Sequence, residues 1–593
     1  MFQSFAVTAR PEQGPPRLAD LRTELARDGL DGFLVPRADV HQGEYVAPRD
    51  ERLAWLTGFT GSAGFCVVLA DKAGVFIDGR YRTQVKAQVA ADYTPVPWPE
   101  VSLAAWLTEQ LPQGGRVGFD PWLHSAGQIA KTQTDLEGRD ITLVRSDNLV
   151  DRVWWDQPDP PMNPVKLHPI EFAGESADSK IARLAQSLQD TGCGAAVITL
   201  PDSIMWLLNI RGSDIGYNPV AHGFAILHAD GRVDLFMAHQ KLNVAMADSV
   251  TVHAPDTFLT AVAALDGKVQ VDLGTLPQAV ADVLEGQMVD GGDPCALPKA
   301  CKNPAEIAGS AEAHLRDAVA VIETLCWLDA QAAGDVTETQ VVTRLEENRR
   351  KDNALQDISF DTIAGTGPNG AIMHYRVTEE TDSLLQDGHI LVLDSGGQYL
   401  DGTTDITRTI AIGNVGEEEK ACFTRVLKGM IAMSMLRWPA GLAGRDIESV
   451  ARIPLWAAGQ DFNHGVGHGV GAYLSVHEGP QRLSKASHEP LLPGMILSNE
   501  PGYYREGAFG IRIENLLVVQ SAPTLPSGDA ERPMLEWRTL TYVPIDRRLV
   551  LTDMLTAVER DWLNAYHREV AEKVRPRLGD DAQLWLDAAT API

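Results

Sequence analysis

The chain has 593 residues, 44% of them hydrophobic, and carries 51 basic against 80 acidic side chains, for a formal net charge of -29. This length predicts several domains, and the hydrophobic content is sufficient to build their cores. The acidic excess argues against nucleic acid or an anionic membrane as the principal partner. We therefore expect a soluble, multidomain globular protein.

The cysteines and the N-terminal residues indicate a cellular compartment. Six cysteines are scattered without a CxxC pair, in a chain long enough to be stable without disulfides. The first residues, MFQSFAVTARPEQG, lack the charged start and apolar core of a signal peptide. No apolar run approaches the roughly 18 residues of a membrane span. These features predict a cytoplasmic protein.

The first domain is predicted to be α/β. An amphipathic helix is expected over residues 17–27 and a short apolar strand over 32–36, followed by strand-like runs broken by glycines. A proline-rich segment, WDQPDPPMNPVKLHP, then predicts a linker, because proline lacks an amide donor and restricts the residue before it. We assign residues 1–158 to this domain.

A second domain repeats the order of the first. A helix is expected over residues 179–190, followed by the strand AAVITL. Trp55 and Trp206 occupy matching places in the two copies, and each is followed by a Gly-Ser pair. Duplication is the economical explanation, which assigns residues 159–298 to the second copy. Neither copy carries a cluster of acids and histidines, so we expect both to cover or complete a site.

The third domain, residues 299–593 with a C-terminal extension, is predicted to mix helices and strands. A helix running to about residue 333 has an N-cap, a first-turn proline and a capping box in Asn303, Pro304 and Glu306. Thr337 and Gln340 open another helix in the same way. Further helices are expected over residues 417–437 and 447–458.

Acidic residues stand at the ends of apolar runs in this domain. The run over residues 390–393 predicts a buried strand that ends at Asp394, just before two glycines. Residues 405–412 alternate between polar and apolar, which places Asp405, Thr407 and Thr409 on one face of a second strand. Two carboxylates are therefore expected to face one another across a hairpin.

Histidines and further acids follow the same pattern. HGVGHGVG presents His464 and His468, and MILSNEPGYY ends an apolar run at Glu500. FGIRIENLLVV alternates so that Arg512 and Glu514 share a face. Four acids and one histidine can therefore converge in one place.

Such a cluster predicts a metal site. Carboxylates a few ångströms apart in a buried site cannot all stay ionised without a compensating cation. Carboxylates able to bridge favour a pair of divalent ions roughly 3.5 to 4 Å apart. Oxygen donors with one imidazole suit manganese or cobalt better than a thiolate-rich zinc site would.

The motifs together resemble those of aminopeptidase P (Xaa-Pro aminopeptidase), in its long three-domain cytosolic form. They are GSAG and DGRY, then NIRGSD, then GPNGAIMHY, DSGGQYLDGTTDITRT, HGVGHGVG, VHEGP, NEPGYY and GIRIEN, in this order over nearly the whole chain. The resemblance implies an α/β (α+β) architecture of two tandem creatinase-like domains before a pita-bread catalytic domain. It also implies a homodimer that hydrolyses the Xaa-Pro bond of short peptides.

The resemblance implies specific roles for residues of this chain. The metal ligands would be Asp394, Asp405, His468, Glu500 and Glu514, with Asp405 and Glu514 bridging two divalent ions per subunit, manganese first and cobalt or zinc as alternatives. The catalytic residues would be His374, His464, His477 and Glu500. The substrate-binding residues would be Arg80, His374, His477 and Arg512, with Glu44 as a weaker candidate.

Other interpretations stay open at this point. A prolidase would share the metal site but cut only dipeptides, and a methionine aminopeptidase would usually lack the N-terminal domains. Pita-bread proteins without enzymatic activity have lost ligands that are present here. For Arg80 a surface salt bridge is the rival explanation, and His41, His222 and His228 are expected to be ordinary core or surface residues.

Overall fold

The computed structural model describes residues 1–529 and 531–593. The chain forms two compact units. Unit 1 comprises Met1–Val7, Glu171–Gly174 and Leu297–Ile593, and unit 2 comprises Thr8–Ile170 and Glu175–Ala296.

The N-terminal part of unit 2 is built on a six-stranded sheet in the order β4-β3-β2-β1-β5-β6. Its strands are β1 (Gly32–Pro36), β2 (Phe65–Leu69), β3 (Ala73–Ile77), β4 (Thr94–Pro97), β5 (Gly115–Phe119) and β6 (Ile141–Arg145). Its helices are α1 (Gly14–Asp28), α2 (Arg52–Thr57), α3 (Gln84–Gln88), α4 (Leu103–Gln110), α5 (Ala126–Asp135) and α6 (Leu149–Val153). The helix and strand expected first in the chain are therefore both present, as α1 and β1.

The following segment repeats this architecture. Its strands are β7 (Lys166–Leu167), β8 (Ala195–Ile198), β9 (Ile210–Arg211), β10 (Phe224–His228), β11 (Val233–Phe236), β12 (Val250–His253), β13 (Val269–Val271) and β14 (Met288–Asp290). Its helices are α7 (Ile170–Ala173), α8 (Ala177–Thr191), α9 (Pro201–Leu207), α10 (Phe258–Ala263), α11 (Gln278–Val283) and α12 (Ala296–Ala300). Six of the strands form a sheet in the order β12-β11-β10-β8-β13-β14.

The two sheets confirm the duplication. In each, a central strand pairs antiparallel with one neighbour and parallel with the other: β1 with β2 and β5, and β8 with β10 and β13. Trp55 and Trp206 lie on the corresponding helices α2 and α9. The central strand β8 is buried along its whole length, as expected for a strand covered by helices on both faces.

Unit 1 contains most of α7 and α12 together with the helices and strands that follow α12. These helices are α13 (Pro304–Asp329), α14 (Glu338–Arg349), α15 (Glu417–Ser434), α16 (Gly444–Ile447), α17 (Ile453–Trp456), α18 (Ala557–Val574) and α19 (Asp580–Ala589). Its strands are β15 (Leu355–Ile358), β16 (Ile363–Thr366), β17 (Ile390–Ser395), β18 (Gly397–Tyr399), β19 (Gly402–Thr403), β20 (Ile406–Ala411), β21 (Arg437–Pro439), β22 (Gly467–Gly469), β23 (Glu478–Leu483), β24 (Ile496–Asn499), β25 (Gly502–Arg505), β26 (Phe509–Arg512), β27 (Asn515–Ser521) and β28 (Met534–Thr539).

Helix starts follow the predicted caps, whereas several helix ends differ. The capping boxes of α13 and α14 are both formed. Helix α13 ends at Asp329 instead of residue 333, and α15 ends at Ser434 instead of residue 437, where β21 begins. The helix expected over 447–458 is broken into α16, a 3-10 turn and α17. Pro454 explains the start of α17, since proline is tolerated only in the first turn of a helix.

Two sheets of unit 1 carry the acidic residues. Strands β16, β17 and β20 form a three-stranded antiparallel sheet in which Asp394 pairs with Thr407. Strands β17 and β20 are linked by an excursion, β18 and β19, that pairs with β15 in another sheet. A six-stranded sheet in the order β21-β28-β27-β24-β22-β23 carries His468 on β22.

Within the described residues, none of the helices combines the length and apolarity needed to cross a membrane. The six cysteines all lie in the described part of the chain, and none of them forms a disulfide there.

Candidate metal centre

Three carboxylates meet at one end of the β17–β20 sheet. Asp394, Asp405 and Glu514 are 7%, 3% and 1% exposed. Asp394 ends the apolar part of β17, Asp405 directly precedes β20, and Glu514 lies between β26 and β27. The Thr407 hydroxyl donates to Glu514 Oε2 at 2.8 Å, and the Glu514 amide donates to the Thr407 carbonyl at 3.1 Å. These two bonds fix Glu514 against β20.

His468 and Glu500 approach the same point from the six-stranded sheet. His468 Nδ1 lies 2.9 Å from the Gly469 carbonyl, which can only accept, so Nδ1 carries the proton. Nε2 is the ring nitrogen that faces the acids, 3.5 Å from Asp405 Oδ2 and 3.6 Å from Glu500 Oε1. Such a fixed tautomer is typical of metal-binding histidines.

The residues present fit a divalent cation. Asp405, His468 and Glu514 each offer a ligand atom, and these atoms lie within 4.8 Å of one another. Among the described residues, Asp394 Oδ1, Asp405 Oδ1 and Glu514 Oε1 are buried without a hydrogen-bond partner. Buried anionic oxygens left this way are costly unless a cation neutralises them. The donor set is mainly oxygen, which suits hard divalent ions.

The pKa values of the carboxyl groups also reflect the excess of buried negative charge. Burial raises the pKa of Asp405 and of Glu514 well above the usual range, and neighbouring carboxylates raise both further. Burial also raises the pKa of Glu500 to about 7, although His468 and Arg512 lower it. Without an added positive charge, burial and mutual repulsion therefore favour protonation of these carboxyl groups.

A hydrogen-bonded chain runs from Asp394 to His464. Arg512 donates to Asp394 Oδ2 and to the Tyr504 hydroxyl, both at 2.6 Å, and to the Thr407 hydroxyl at 3.2 Å. His464 Nδ1 lies 2.7 Å from the Gly465 carbonyl and therefore donates, so Nε2 accepts from the Tyr504 hydroxyl at 3.0 Å. Arg512, expected to bind substrate, thus has its donor groups directed at Asp394, Tyr504 and Thr407.

Two further predicted histidines belong to unit 1. The ring of His477 lies 4.4 Å from that of His468 in a T-shaped contact, and its charge lowers the pKa of Asp405. His374 is half-buried in the segment after the 3-10 helix Gly367–Ala371 and directly precedes Tyr375. The structure therefore brings His477 against a predicted ligand.

Arg80 and Glu44 belong to unit 2. Arg80 pairs with Asp78 at 2.7 Å and lies 5.3 Å from the centre of the Tyr81 ring. Glu44 Oε1 accepts from the Ser62 hydroxyl at 3.0 Å. The ion pair expected as the rival explanation for Arg80 is therefore present.

Sequence reasoning assigns no role to Tyr504 or Arg408. Tyr504 lies in the quoted NEPGYY motif, where its hydroxyl is a polar group near Glu500 in the chain. Arg408 is buried and donates to the carbonyls of Glu514 and Thr407 at 2.5 and 2.9 Å. An arginine between Ile406 and Ile410, on the otherwise apolar face of β20, is a signal for such a framework role.

Family models match successive parts of the chain. Residues 17–153 and 156–306 each match a creatinase/prolidase N-terminal domain. Residues 308–521 match metallopeptidase family M24, and residues 533–593 match its C-terminal region.

Relatives match over almost the whole length. Aminopeptidase P2 of Arabidopsis thaliana is 38% identical over 95% of this chain and 86% of its own. The chain belongs to the aminopeptidase P family. A probable Xaa-Pro aminopeptidase P of Neosartorya fischeri is 37% identical over 97% of this chain and 92% of its own.

One solved structure of this family shares the complete architecture. X-prolyl aminopeptidase from Caenorhabditis elegans, described as a cytosolic enzyme with a di-nuclear active site, is 32% identical and has a TM-score of 0.93. The match covers 98% of this chain and 100% of that one. The fold expectation of two creatinase-like domains before a metallopeptidase domain is thereby confirmed.

Proposed function

We propose that the protein is a metal-dependent aminopeptidase that releases the N-terminal residue from short peptides with proline in the second position. The observation that carries this proposal is the convergence of Asp405, His468 and Glu514 on one point in a chain of the aminopeptidase P family. We further propose domains at 1–158, 159–298 and 299–593, which the order of the matched family models supports.

Asp394, Asp405, His468, Glu500 and Glu514 would hold two divalent ions per subunit. Asp405 and Glu514 would be shared by both ions, as the family resemblance implies, and each has a buried oxygen without a hydrogen-bond partner among the described residues, as Asp394 also has. When bound, the ions supply positive charge that lowers the pKa of water and polarises the peptide carbonyl. We propose manganese, with cobalt or zinc as alternatives, because oxygen donors dominate the set.

The side chains around this centre have distinct proposed roles. Glu500 takes the proton from the attacking water, and His477 or His374 hydrogen-bonds the oxygen that develops negative charge. His464 relays a proton, since its Nε2 accepts from the Tyr504 hydroxyl. Arg512 keeps Asp394 and Tyr504 in place instead of binding substrate, because its donor groups are directed at them.

Proline at the second position explains why a dedicated site is needed. The Xaa-Pro bond is a tertiary amide without an N–H, so a peptidase that holds its substrate through that donor cannot bind it. A site shaped for the pyrrolidine ring can. The deciding assay compares Xaa-Pro-Xaa tripeptides with Xaa-Pro dipeptides, together with elemental analysis. Cleavage of dipeptides alone would indicate a prolidase, and inactivity on both would indicate a non-enzymatic binding protein.

Arg80 is proposed to bind substrate, in a homodimer that acts in the cytoplasm. Its fixed guanidinium could hold a carboxylate or carbonyls of a short peptide. Arg80→Ala should raise KM or lower kcat/KM with metal content unchanged. Arg82→Ala is the matched control, since Arg82 is a more exposed neighbour that pairs with Glu100. Unchanged kinetics in Arg80→Ala would restrict Arg80 to its ion pair with Asp78, and sedimentation tests the dimer.

A further inference from the structure

Glu338 is a buried carboxylate at the start of α14, outside the predicted ligand set. Its exposed fraction is 0%. Oε1 accepts from the Thr366 amide at 2.7 Å and from Asn369 Nδ2 at 3.0 Å. Oε2 accepts from the Tyr375 hydroxyl at 2.9 Å and from the Ser383 amide at 3.2 Å. One carboxylate therefore contacts four points of the segment between residues 366 and 383.

These contacts suit a negative charge that no cation balances directly. The four donors are neutral, and hydrogen bonds to a charged acceptor are stronger than those between neutral groups. The N-terminus of a helix also favours an anion, and Glu338 is the first residue of α14. Burial raises the pKa of Glu338 to about 7, whereas the bonds from Thr366, Asn369 and Tyr375 lower it.

The segment that Glu338 holds is also packed against β26, the strand that carries Arg512. A Cβ added to Gly510 on β26 would lie 1.7 Å from the Gly370 carbonyl, so the two backbones are in close contact. Two residues after Gly510, Arg512 pairs with Asp394. His374 lies between this contact and Tyr375, whose hydroxyl bonds Glu338. A change in the hold on Tyr375 would therefore be transmitted to His374.

We infer that Glu338 is a positioning residue for His374: its carboxylate clamps residues 366–383 and so fixes where the imidazole meets the substrate. This inference rests on the proposed function, because it assigns His374 a part in the reaction. We call Glu338 with its four donors the loop clamp. Misplacement of a catalytic group by about 1 Å can lower a rate by about 10²-fold.

The same helix provides a matched control. Glu346 lies two turns further along α14 and is 3% exposed. Its carboxylate accepts from the backbone amides of Phe2 and Gln3 at 2.8 and 3.5 Å. Glu346 Oε1 also pairs with Arg350 Nε, just after the last residue of α14, at 3.2 Å. Glu346→Gln therefore disturbs an equally buried carboxylate whose partners lie in the N-terminal segment and at the end of α14 instead of in the loop clamp.

The first experiment compares Glu338→Gln and Glu346→Gln in the metal-loaded protein. In Glu338→Gln the new side-chain amide would keep one acceptor oxygen but turn an NH₂ towards the donors. We expect kcat on an Xaa-Pro-Xaa peptide to fall about 10-fold to 10²-fold with two metal ions retained. Hydrogen exchange over residues 366–383 should become faster. Glu346→Gln should leave kcat and the exchange rates over residues 366–383 close to wild type. Unchanged hydrogen exchange in Glu338→Gln would overturn the loop clamp.

A double-mutant cycle shows whether Glu338 acts through His374. In a His374→Ala background, Glu338→Gln should lower kcat by less than about twofold, because the group it positions is already absent. Full additivity would overturn the positioning role. If Glu338→Gln does not fold, Tyr375→Phe removes a single donor and should change exchange and kcat in the same direction by less. A wild-type protein inactive on the peptide would instead overturn the proposed function, while the exchange result still decides the clamp.

Discussion

Buried carboxylates occur in both units, but they are neutralised in different ways. In unit 2, Asp214 pairs with Lys241 at 2.5 Å and Asp50 pairs with Arg52 at 2.8 Å. In unit 1, Asp405 and Glu514 each keep a buried oxygen without a hydrogen-bond partner among the described residues. The convergence of Asp405 and Glu514 with His468 on one point therefore distinguishes the candidate metal site from carboxylates that are paired with a lysine or an arginine.

Histidines differ between the units in the same sense. In unit 2 the rings of His41 and His222 lie 4.8 Å apart, and burial lowers the pKa of each to about 4. They are therefore neutral at physiological pH, as expected for core residues. In unit 1, His468 directs Nε2 towards two carboxylates, while its Nδ1 is held by the Gly469 carbonyl. The orientation of the ring, instead of the residue type, distinguishes a candidate ligand.

The largest expected loss of activity comes from replacing the carboxylates of the candidate metal centre. Asp405→Asn and Glu514→Gln should each release metal and abolish measurable peptide hydrolysis while the chain still folds, because a bridging anionic oxygen is lost. Elemental analysis and circular dichroism check this expectation. Two ions per subunit together with a normal rate in either variant would show that the bridging assignment is wrong.

Removing a carboxylate that is paired with a lysine should destabilise the fold but leave the metal content unchanged. Asp214→Asn leaves Lys241 buried without its counter-charge, which should lower the free energy of unfolding by about 3 to 5 kcal/mol. The metal content should not change, since Asp214 lies in unit 2. Urea unfolding and elemental analysis of the same sample test both points. Metal loss as large as that in Asp405→Asn would remove the distinction between the two clusters.

The pH dependence of the free energy of unfolding tests whether a buried histidine of unit 2 is neutral in the folded protein. Burial lowers the pKa of His124 from 6.5 to about 4, so the unfolded chain binds the proton more tightly. The resulting stabilisation, about 3 kcal/mol, is complete above pH 6.5 and is lost as the pH falls towards 4. Urea unfolding between these pH values should show a smaller decrease in His124→Phe than in wild type. Equal decreases would show that His124 does not titrate in this way.

A smaller effect is expected from the histidines outside the proposed ligand set. His464→Ala and His477→Ala should each lower kcat by about 10²-fold, or about 2.7 kcal/mol, with metal content near normal. His488→Ala is the control, since His488 is an exposed residue of the same domain. Steady-state kinetics with elemental analysis separate the outcomes. Loss of metal in either variant would make that residue a ligand.

Local patterns predict much of the fold because their causes are local. The capping boxes at Asn303 and Thr337 depend on residues three positions apart, and both are formed. Strand β1 has the predicted bounds because a short apolar run flanked by turn residues has few alternatives. The break at Pro454 does not follow from the apolar helical pattern, which continues across this proline.

The acids of the candidate centre can be located in the sequence because each stands at the end of an apolar run, where a strand leaves the core. The hydrogen bonds that link the candidate centre to other parts of the fold cannot be predicted from such a local pattern. Tyr504 links Arg512 to His464 across 40 residues, and Glu338 reaches Ser383 across 45. Hydrogen bonds over such separations have no periodicity in the sequence, since they depend on how whole strands and helices pack.

The sequence by itself therefore determined the duplicated N-terminal architecture, the starts of α13, α14 and α15 and the positions of five proposed ligands. Only the tertiary structure decided which carboxylates are neutralised by the chain's own cations and which are not. It also decided that Arg512 is directed towards Asp394 and that Glu338 holds the loop bearing His374. The physical reason is that charge balance and hydrogen-bond satisfaction are properties of groups brought together in space, whereas propensity and capping act between neighbours in the chain.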